Sequence, residues 1–517
     1  MKALLIRYHS ALTCQYDLAI CVAAILVLPI LWVLKRRKKA ALPLPPSPKS
    51  DPVIGHLRFL PSVNEHFAYK KWGDELQSDI ISLNVMGQII IVLNSADSAN
   101  ELLVRRAAIY SDRPQLPMVR DESLTGWGNN TAFLPHGERW RKQRRMTHEV
   151  LHKKASEEFW PAVMKQSRLG LQRLLDYPKN YREEFKHIAA CTILSTAYGY
   201  EAASSKEKLV EIVEAANKGL CQAALPGNFF VNVVPWLRYV PSWLPGAGWK
   251  RQAHKWRAEK ERMLHIPFNW TREQMTAGTA APSMLKNLLS NLAGQEKGIS
   301  DIEEDEDRIR WTTGTMFSVL LVFVLAMTLH PEAQRKAQAE LDAILAENRL
   351  PELTDRPHLP YVNRLIQEVL RWRTVTPLAI PHKCTQDDTY KGHYIPKGAM
   401  VIGNVWAMSN DPKIYPEPDV FDPDRFCNPM VPAAPLFGFG RRSCLGIHLA
   451  EALLFSTIST MLAVFHIRPI CDLSGGPIIP SAEMSVNMLV NHPVPFECEI
   501  LVRSEKHERL LREWCSL

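Results

Sequence analysis

The sequence predicts a mainly α fold with a small β portion, preceded by a single N-terminal transmembrane helix. Three observations support this prediction. A seventeen-residue stretch without charge, residues 18–34, stands near the N-terminus. Helical periodicity dominates from about residue 60, in segments 138–150, 157–175, 301–329, 331–346 and 361–372. Strand-like segments are short and few, at 80–85, 89–93, 399–402 and 496–502.

The uncharged stretch 18–34 is followed at once by the basic sequence KRRKK, residues 35–39. An excess of Lys and Arg marks the cytosolic side of a membrane span. We therefore expect a short lumenal N-terminus at 1–17, a single-pass anchor in the endoplasmic reticulum membrane and a cytosolic remainder. A cleaved signal peptide is the alternative, but the stretch is long for one and no small-residue cleavage site precedes the basic cluster.

The remainder of the chain is predicted to form one large domain. Residues 35–60 are basic and rich in proline, as in ALPLPPSP, which is typical of a stiff linker. No long flexible linker divides residues 61–502, and residues 503–517 form a polar C-terminal tail. With 46% hydrophobic and 22% charged residues, the composition is that of a globular protein.

The net charge of +8 is weak evidence for a polyanionic partner, because five of the positive charges belong to residues 35–39. The small excess that remains over the rest of the chain does not indicate nucleic-acid binding. We expect no nucleic-acid partner.

The sharpest motif is FGFGRRSCLG, residues 437–446, called here the cysteine loop. A lone cysteine is usually a small buried hydrophobic residue, and Cys444 with His448 could be half of a zinc site. Neither alternative explains the neighbouring residues. Several glycines allow the backbone to lie against a flat group, and Arg442 can reach an anion.

The pattern F-x-x-G-x-R-x-C-x-G, at Phe437, Gly440, Arg442, Cys444 and Gly446, resembles the haem-binding signature of the cytochrome P-450 family. The resemblance implies the cytochrome P-450 fold, with 61–502 as a haem-binding catalytic domain. It also implies haem b as cofactor, with Cys444 as the metal ligand, an axial thiolate that favours O–O cleavage.

Glu368 and Arg371, in EVLRW, are three residues apart and can pair on one helix face. Alone, such a pair is often a solvated salt bridge. Together with Arg425, in FDPDRF, it resembles the structural Glu-Arg-Arg triad of the family, which implies a role in locking the core beside the haem.

Trp140 and Arg144, in ERWRKQRR, lie four residues apart and share one helix face. A nucleic-acid or lipid patch and a solvated helix face are the alternatives. The pair resembles the W-x-x-x-R of the family, which implies binding to a haem propionate, and His382 matches a position that often supplies another propionate donor. Arg141, Lys142 and Arg441 would then face an acidic redox partner.

The family's long helix over the haem normally carries A-G-x-D-T-T, in which an acid and an alcohol deliver protons. Here the sequence that normally precedes the motif is present as WTTGTMF, and the sequence that normally follows it is present as SVLLVFVLAMTLHPE. The motif between them is missing. Thr315, with Thr312 and Thr313, is a weak candidate for the alcohol, and no acid follows. Either the protein has dispensed with the relay, or a mistaken gene model has lost a short exon piece.

The resemblance, closest in texture to fungal microsomal members, implies a monooxygenase that oxidises a small, largely apolar secondary metabolite. It would use O2 and electrons from NADPH delivered by a membrane-bound reductase. The substrate pocket would lie near Trp127 and segments 375–380 and 484–489, although core packing explains these residues equally well. The alternatives are an NADPH-independent haem-thiolate isomerase or dehydratase, and a catalytically impaired haem protein, because the oxygen-activating motif is missing.

Overall fold

The computed structural model describes residues 42–61, 63–202, 208–293, 318–485 and 489–514. The predicted membrane span at 18–34, the basic cluster at 35–39 and the candidate alcohol Thr315 lie outside the described residues. Of the predicted helix at 301–329, only the part from Ser318 onward is described.

Helices make up most of the described chain, as predicted. They are α1 Glu65–Glu75, α2 Ala96–Ala99, α3 Ala107–Tyr110, α4 Pro117–Arg120, α5 Glu138–Leu151, α6 Lys153–Ser156, α7 Trp160–Asp176, α8 Tyr181–Tyr198, α9 Lys208–Ala223, α10 Gly248–Thr276, α11 Met284–Ala293, α12 Ser318–Leu329, α13 Pro331–Leu345, α14 Pro360–Trp372, α15 Val405–Ser409, α16 Ile447–Val464 and α17 Glu505–Trp514. A π-helical segment, Asn100–Arg105, joins α2 to α3.

The β portion is small, also as predicted. The strands are β1 Ile80–Val85, β2 Gln88–Leu93, β3 His382–Lys383, β4 Asp388–Tyr390, β5 His393–Ile395, β6 Met400–Gly403, β7 Phe465–Arg468 and β8 Glu499–Val502. The largest sheet has the order β1-β2-β6-β3, and β2 pairs in parallel with β6 although about 300 residues separate them. This pairing brings the region after α14 beside the N-terminal part of the domain.

Helix α12 lies in the centre of the core. It carries no charged residue, and every residue except Val319 and Leu329 is buried. It contacts α13, α14, α16 and β7. A helix surrounded on all sides has no solvent face that needs polar residues. The apolar sequence of 318–329 is therefore a core helix, and its end is set by Pro331, which begins α13.

Helix α16 is the one described helix long and apolar enough to cross a membrane, yet 78% of it is buried inside the protein. This helix was not predicted from the sequence. Its apolar residues follow no single stripe, because α7, α13 and α14 pack around it. Its N-terminus at Gly446 directly follows the cysteine loop.

The described segments that flank the predicted domain of residues 61–502 make contacts with it. In the predicted linker, the carbonyls of Pro43 and Pro46 accept backbone hydrogen bonds from the domain. The donors are the N–H groups of Tyr394 and Ser82, respectively. Within the predicted tail, α17 buries Leu511 completely, and Arg168 stacks over Trp514 at 4.5 Å. Both segments pack on the domain because their few apolar residues find partners distant in sequence.

Candidate active site

The cysteine loop is held in a compact shape by its own backbone. The N–H of Cys444 donates to the carbonyl of Phe437 at 2.7 Å. Gly438 and Gly440 adopt φ of 78° and 48°, in the left-handed region that favours glycine. A Cβ at Gly440 would lie 2.4 Å from the carbonyl oxygen of Leu103, so no larger residue fits between the loop and the π-helical segment. Backbone conformation therefore favours glycine at 438, and both conformation and close packing require it at 440.

Cys444 stands at the end of this loop, two residues before the N-cap of α16. The side chain of Cys444 is exposed at the surface of the protein. Protein atoms still surround its sulfur, and this partial burial raises the pKa of the thiol. Two groups act against this effect of burial and lower the pKa of the thiol: the N–H of Gly446, through a hydrogen bond, and the positive charge of Arg144. These donors favour a thiolate, which is the form that binds a metal.

Trp140 lies in α5 and is 4% exposed. The guanidinium carbons of Arg442 and Arg144 lie 4.4 and 5.6 Å from the centre of its ring. Its indole nitrogen Nε1 is buried and has no hydrogen-bond partner among the described residues. A buried N–H of this kind costs free energy unless a ligand accepts from it.

Arg144 and Arg442 tie this helix and the cysteine loop to their surroundings. Arg144 Nη2 donates to the Ser443 carbonyl at 2.9 Å. Arg442 donates from Nε to the Ser111 carbonyl at 2.7 Å, and from Nη1 and Nη2 to the carbonyls of Thr131 and Leu134 at 3.1 and 2.7 Å. Burial lowers the pKa of Arg442 to about 10, so it remains protonated at neutral pH.

A further buried arginine, Arg113, was not predicted from the sequence. It is 4% exposed and donates to the carbonyls of Ala132, Ile380 and Pro381 at 2.6 to 2.9 Å. Burial and the charges of Arg442 and Arg144 lower the pKa of its guanidinium. The available signal was only the sequence SDRP, in which an arginine before proline is too common to single out.

His382, predicted as a propionate donor, lies in β3 and is buried. Its Nδ1 lies 2.7 Å from the carbonyl oxygen of Tyr110. Because a carbonyl only accepts, the neutral ring carries its proton on Nδ1 and leaves Nε2 as an acceptor. Burial, with the charges of Arg113 and Arg442, lowers the pKa of His382 well below its usual range. To donate from Nε2 to a propionate, the ring would need a second proton, which the negative charge of that propionate would favour. The role of His382 stays a prediction.

These side chains form a cationic cluster, defined here as Arg113, Trp140, Arg144, His382 and Arg442. Its three guanidinium groups repel one another. The carboxylate of Asp112 partly offsets this repulsion, because its charge raises the pKa of Arg113 and of Arg442. Buried charges are costly unless they are paired. The two carboxylates of haem would supply the missing negative charge, and Cys444 would supply the iron ligand. The residues present therefore fit haem.

The predicted triad is assembled in the structure. Arg371 donates to the two carboxylate oxygens of Glu368 at 2.8 and 2.7 Å, and both side chains are fully buried. Arg425 Nε donates to Glu368 Oε1 at 3.1 Å. Arg371 also donates to the Ser409 carbonyl at 3.0 Å. The triad thus fixes α14 to two segments of the chain that follow it.

Comparison with known proteins agrees with this geometry. The family model for cytochrome P-450 matches residues 45–500. A cytochrome P-450 monooxygenase of Armillaria gallica is 37% identical over 510 residues, which is 96% of this chain and 99% of the relative.

The chain belongs to the cytochrome P-450 family. The tryptamine 4-monooxygenase of Psilocybe cyanescens is 35% identical over 90% of this chain and 94% of its own. Among solved structures, a zebra fish cytochrome P-450 with progesterone aligns with a TM-score of 0.70 at 23% identity, over 85% of this chain and 100% of that one, which shows the shared fold.

The chain is accordingly a cytochrome P-450 monooxygenase, an oxidoreductase that uses haem, O2, a substrate and a redox partner. Haem, when bound, activates dioxygen so that one oxygen atom enters the substrate. Cys444 would hold the iron through its thiolate, and the N–H of Gly446 with the charge of Arg144 would stabilise the anionic sulfur. The cationic cluster would hold the propionates, and the apolar helix α12 keeps water out of the core.

Hydroxyl groups on α12 are the described candidates for a role in oxygen activation. Helix α12 contains two hydroxyl groups, Ser318 at its start and Thr328 near its end. Thr328 Oγ1 donates to the carbonyl of Val324 at 2.8 Å, so this hydroxyl is already used inside the helix. Thr315 lies outside the described residues, and its role stays a prediction.

Proposed function

We propose that this cytochrome P-450 hydroxylates or otherwise oxidises a small, largely apolar secondary metabolite. Electrons would come from NADPH through a membrane-bound flavoprotein reductase, so that the substrate, O2, two electrons and two protons yield one hydroxylated product and one water. The cysteine loop beside the cationic cluster carries this proposal, because thiolate ligation serves oxygen insertion. Relatives that include the tryptamine 4-monooxygenase of Psilocybe cyanescens support a role in fungal secondary metabolism.

A basic surface supports the reductase as partner. Arg141 and Lys142 on α5 and Arg441 in the cysteine loop are exposed. They lie on elements that also carry Trp140, Arg442 and Cys444, so a docked partner would approach the thiolate side of the haem. An acidic reductase surface would be attracted and oriented by these charges.

We also propose that the protein works at the endoplasmic reticulum membrane. Segment 229–247 carries four strongly exposed aromatic side chains, called here the aromatic patch: Phe230 at 70%, Trp236 at 65%, Tyr239 at 72% and Trp243 at 77%. Soluble surfaces rarely expose so many aromatics together. Trp and Tyr are favoured at the boundary between lipid and water.

The second candidate is an NADPH-independent isomerase or dehydratase with the same haem-thiolate site. It is favoured by α12, where the described residues include no acid and Thr328 is bonded within the helix. Such chemistry rearranges a substrate that is already oxidised, for example a peroxide, and needs no proton relay for O2.

One experiment separates these candidates. The full chain is produced in fungal microsomes with its reductase and supplied with a set of terpenoid and indole substrates. We expect a carbon monoxide difference spectrum typical of thiolate-ligated haem, and product that appears only with NADPH and carries label from 18O2. Product formed from a hydroperoxide without NADPH would support the second candidate. A thiolate spectrum without product or NADPH consumption would indicate a catalytically impaired haem protein.

A further inference from the structure

Three side chains that can bind a metal ion join α13 to the C-terminal helix α17. One carboxylate oxygen of Asp342, one of Glu347 and one ring nitrogen of His507 lie within 4.8 Å of one another. Asp342 is in the last turn of α13, Glu347 is two residues beyond its end, and His507 is in the first turn of α17. These three residues are called here the tail cluster. None of them belongs to the cysteine loop or to the cationic cluster.

His507 is the buried member of the tail cluster, at 7% exposed. Its Nδ1 lies 2.8 Å from Ser504 Oγ, and its Nε2 has no hydrogen-bond partner in the part of the chain that the structure describes. With the proton of Nδ1 donated to the serine oxygen, Nε2 presents a lone pair. A histidine that binds a metal usually has its other ring nitrogen fixed in this way. Burial and the positive charge of Arg503 lower the pKa of His507, so the ring is in the neutral form that binds metals at pH 7.

The two carboxylates have cationic neighbours but keep lone pairs for a ligand. Arg503 donates to both oxygens of Asp342, at 2.9 Å for Oδ1. Each carboxylate oxygen has two lone pairs, so Asp342 can bind a metal and keep this arginine. Glu347 lies 3.8 Å from Lys506 Nζ, and no described residue donates a hydrogen bond to its carboxylate. Because Arg503 and Lys506 weaken the attraction for a cation, we expect a site of moderate affinity.

The spacing of the tail cluster suits a small divalent transition metal. A point equidistant from three atoms that lie 4.8 Å apart is about 2.8 Å from each, whereas bonds from Zn²⁺ to nitrogen or oxygen are about 2.0 to 2.2 Å long. Side-chain rotations that move each ligand atom by less than about 1 Å would therefore complete the site. One imidazole with two carboxylates favours Zn²⁺ over Mg²⁺, which prefers oxygen ligands alone.

Helix α17 lies outside the part of the chain that the family model matches, which ends at residue 500. Its C-terminal half is attached to the domain by the buried Leu511 and by Trp514, over which Arg168 stacks at 4.5 Å. His507 lies at the opposite end of the helix. A metal ion bound by the tail cluster would therefore attach the first turn of α17 to α13.

We propose that the tail cluster binds Zn²⁺ through Asp342, Glu347 and His507, and that the bound ion holds the first turn of α17 against the end of α13. Water would complete the coordination of the ion. The inference does not depend on the proposed monooxygenase function, because none of the three ligands touches the haem site described above.

The first test measures Zn²⁺ binding to the full-length holoprotein by isothermal titration calorimetry, after dialysis against EDTA. We expect Glu347→Gln and His507→Gln each to weaken one zinc site by at least about tenfold, because each removes a ligand. Mg²⁺ should bind at least about tenfold more weakly than Zn²⁺. Glu513→Gln and His254→Gln replace exposed residues of the same types outside the tail cluster, and both should bind Zn²⁺ as the native protein does.

The second test measures hydrogen exchange of the α17 amides. Zn²⁺ should slow this exchange in the native protein and in Glu513→Gln, but not in Glu347→Gln. The carbon monoxide spectrum of each sample checks that the haem domain is intact. If His507→Gln does not fold, Glu347→Gln decides the result, because its side chain is 44% exposed.

Equal Zn²⁺ affinity in the native protein and in a folded ligand variant would overturn the inference, since zinc would then be bound by other imidazoles or thiols of the chain. Exchange in α17 that Zn²⁺ leaves unchanged would overturn it as well. Loss of NADPH-dependent product formation bears only on the monooxygenase proposal, because neither test depends on turnover.

Discussion

At the scale of single residues, the cationic cluster explains how the protein can hold an anionic cofactor in its interior. Each guanidinium group is fixed by backbone carbonyls, so little entropy is lost when a propionate arrives. Trp140 adds one N–H that no described residue uses. Its ring packs between charged neighbours and can keep this geometry if the N–H alone is removed.

We expect Trp140→Phe to release haem faster than the native protein, because the ring stacking is kept and the hydrogen bond is lost. One hydrogen bond to a charged group contributes about 1.5 to 3 kcal/mol, which corresponds to a rate increase of at least roughly tenfold. The measurement is haem transfer to an excess of a haem scavenger. Trp243→Phe, at an exposed position, is the control. An unchanged release rate in Trp140→Phe would show that Nε1 does not bind a propionate.

At the scale of elements, the buried triad connects α14 to the chain around Ser409 and Arg425. Glu368 accepts from Arg371, Arg425 and the backbone N–H of Asp422, so one carboxylate organises three segments. The pair of Arg468 and Glu499 joins β7 to β8 by a single hydrogen bond at 2.7 Å, and its two side chains are 51% and 38% exposed. Because only the Glu368 pair is buried, we expect the two pairs to contribute differently to the free energy of unfolding.

Glu368→Gln should lower the free energy of unfolding by about 3 to 5 kcal/mol, since it leaves Arg371 buried without its counter-charge. The matched variant Glu499→Gln should cost at most about 1 kcal/mol, because solvent screens that pair. Chemical denaturation of both variants measures the two values. Equal effects would contradict a structural role for the triad.

At the scale of the whole molecule, the aromatic patch is the surface at which we propose a second contact with a bilayer, in addition to the predicted span at 18–34. Arg238 stacks against Tyr239 at 4.8 Å, and Lys250 donates to the carbonyls of Arg238 and Val240, so cations accompany the aromatic side chains. Anionic lipid head groups attract such a combination.

A chain that lacks residues 1–41 should therefore still bind vesicles that contain anionic lipid. Replacing both Trp236 and Trp243 with Ser should weaken this binding by at least about tenfold, because each exposed indole buries substantial apolar area on insertion. Sedimentation with vesicles provides the measurement, and Tyr177→Ser, an exposed aromatic outside the patch, is the control. Retained binding in the double variant would place the membrane contact elsewhere.

Features that depend on neighbouring residues could be predicted from the sequence alone. Cys444 with its glycines lies in one loop, and Trp140 with Arg144, like Glu368 with Arg371, shares one helix face. Strands such as β1 and helices such as α14 were predicted within a few residues, because their periodicity is local. The family resemblance rested on these same short motifs.

Only the tertiary structure decided the features that depend on contacts between distant residues. Arg442 bonds Ser111 across 331 positions, and Arg113 bonds Ile380 across 267, so no local pattern reveals the full cationic cluster. Helix α16 has the composition of a membrane span, but its neighbours bury it. A sequence states which residues are adjacent, whereas burial and charge balance depend on how the whole chain packs.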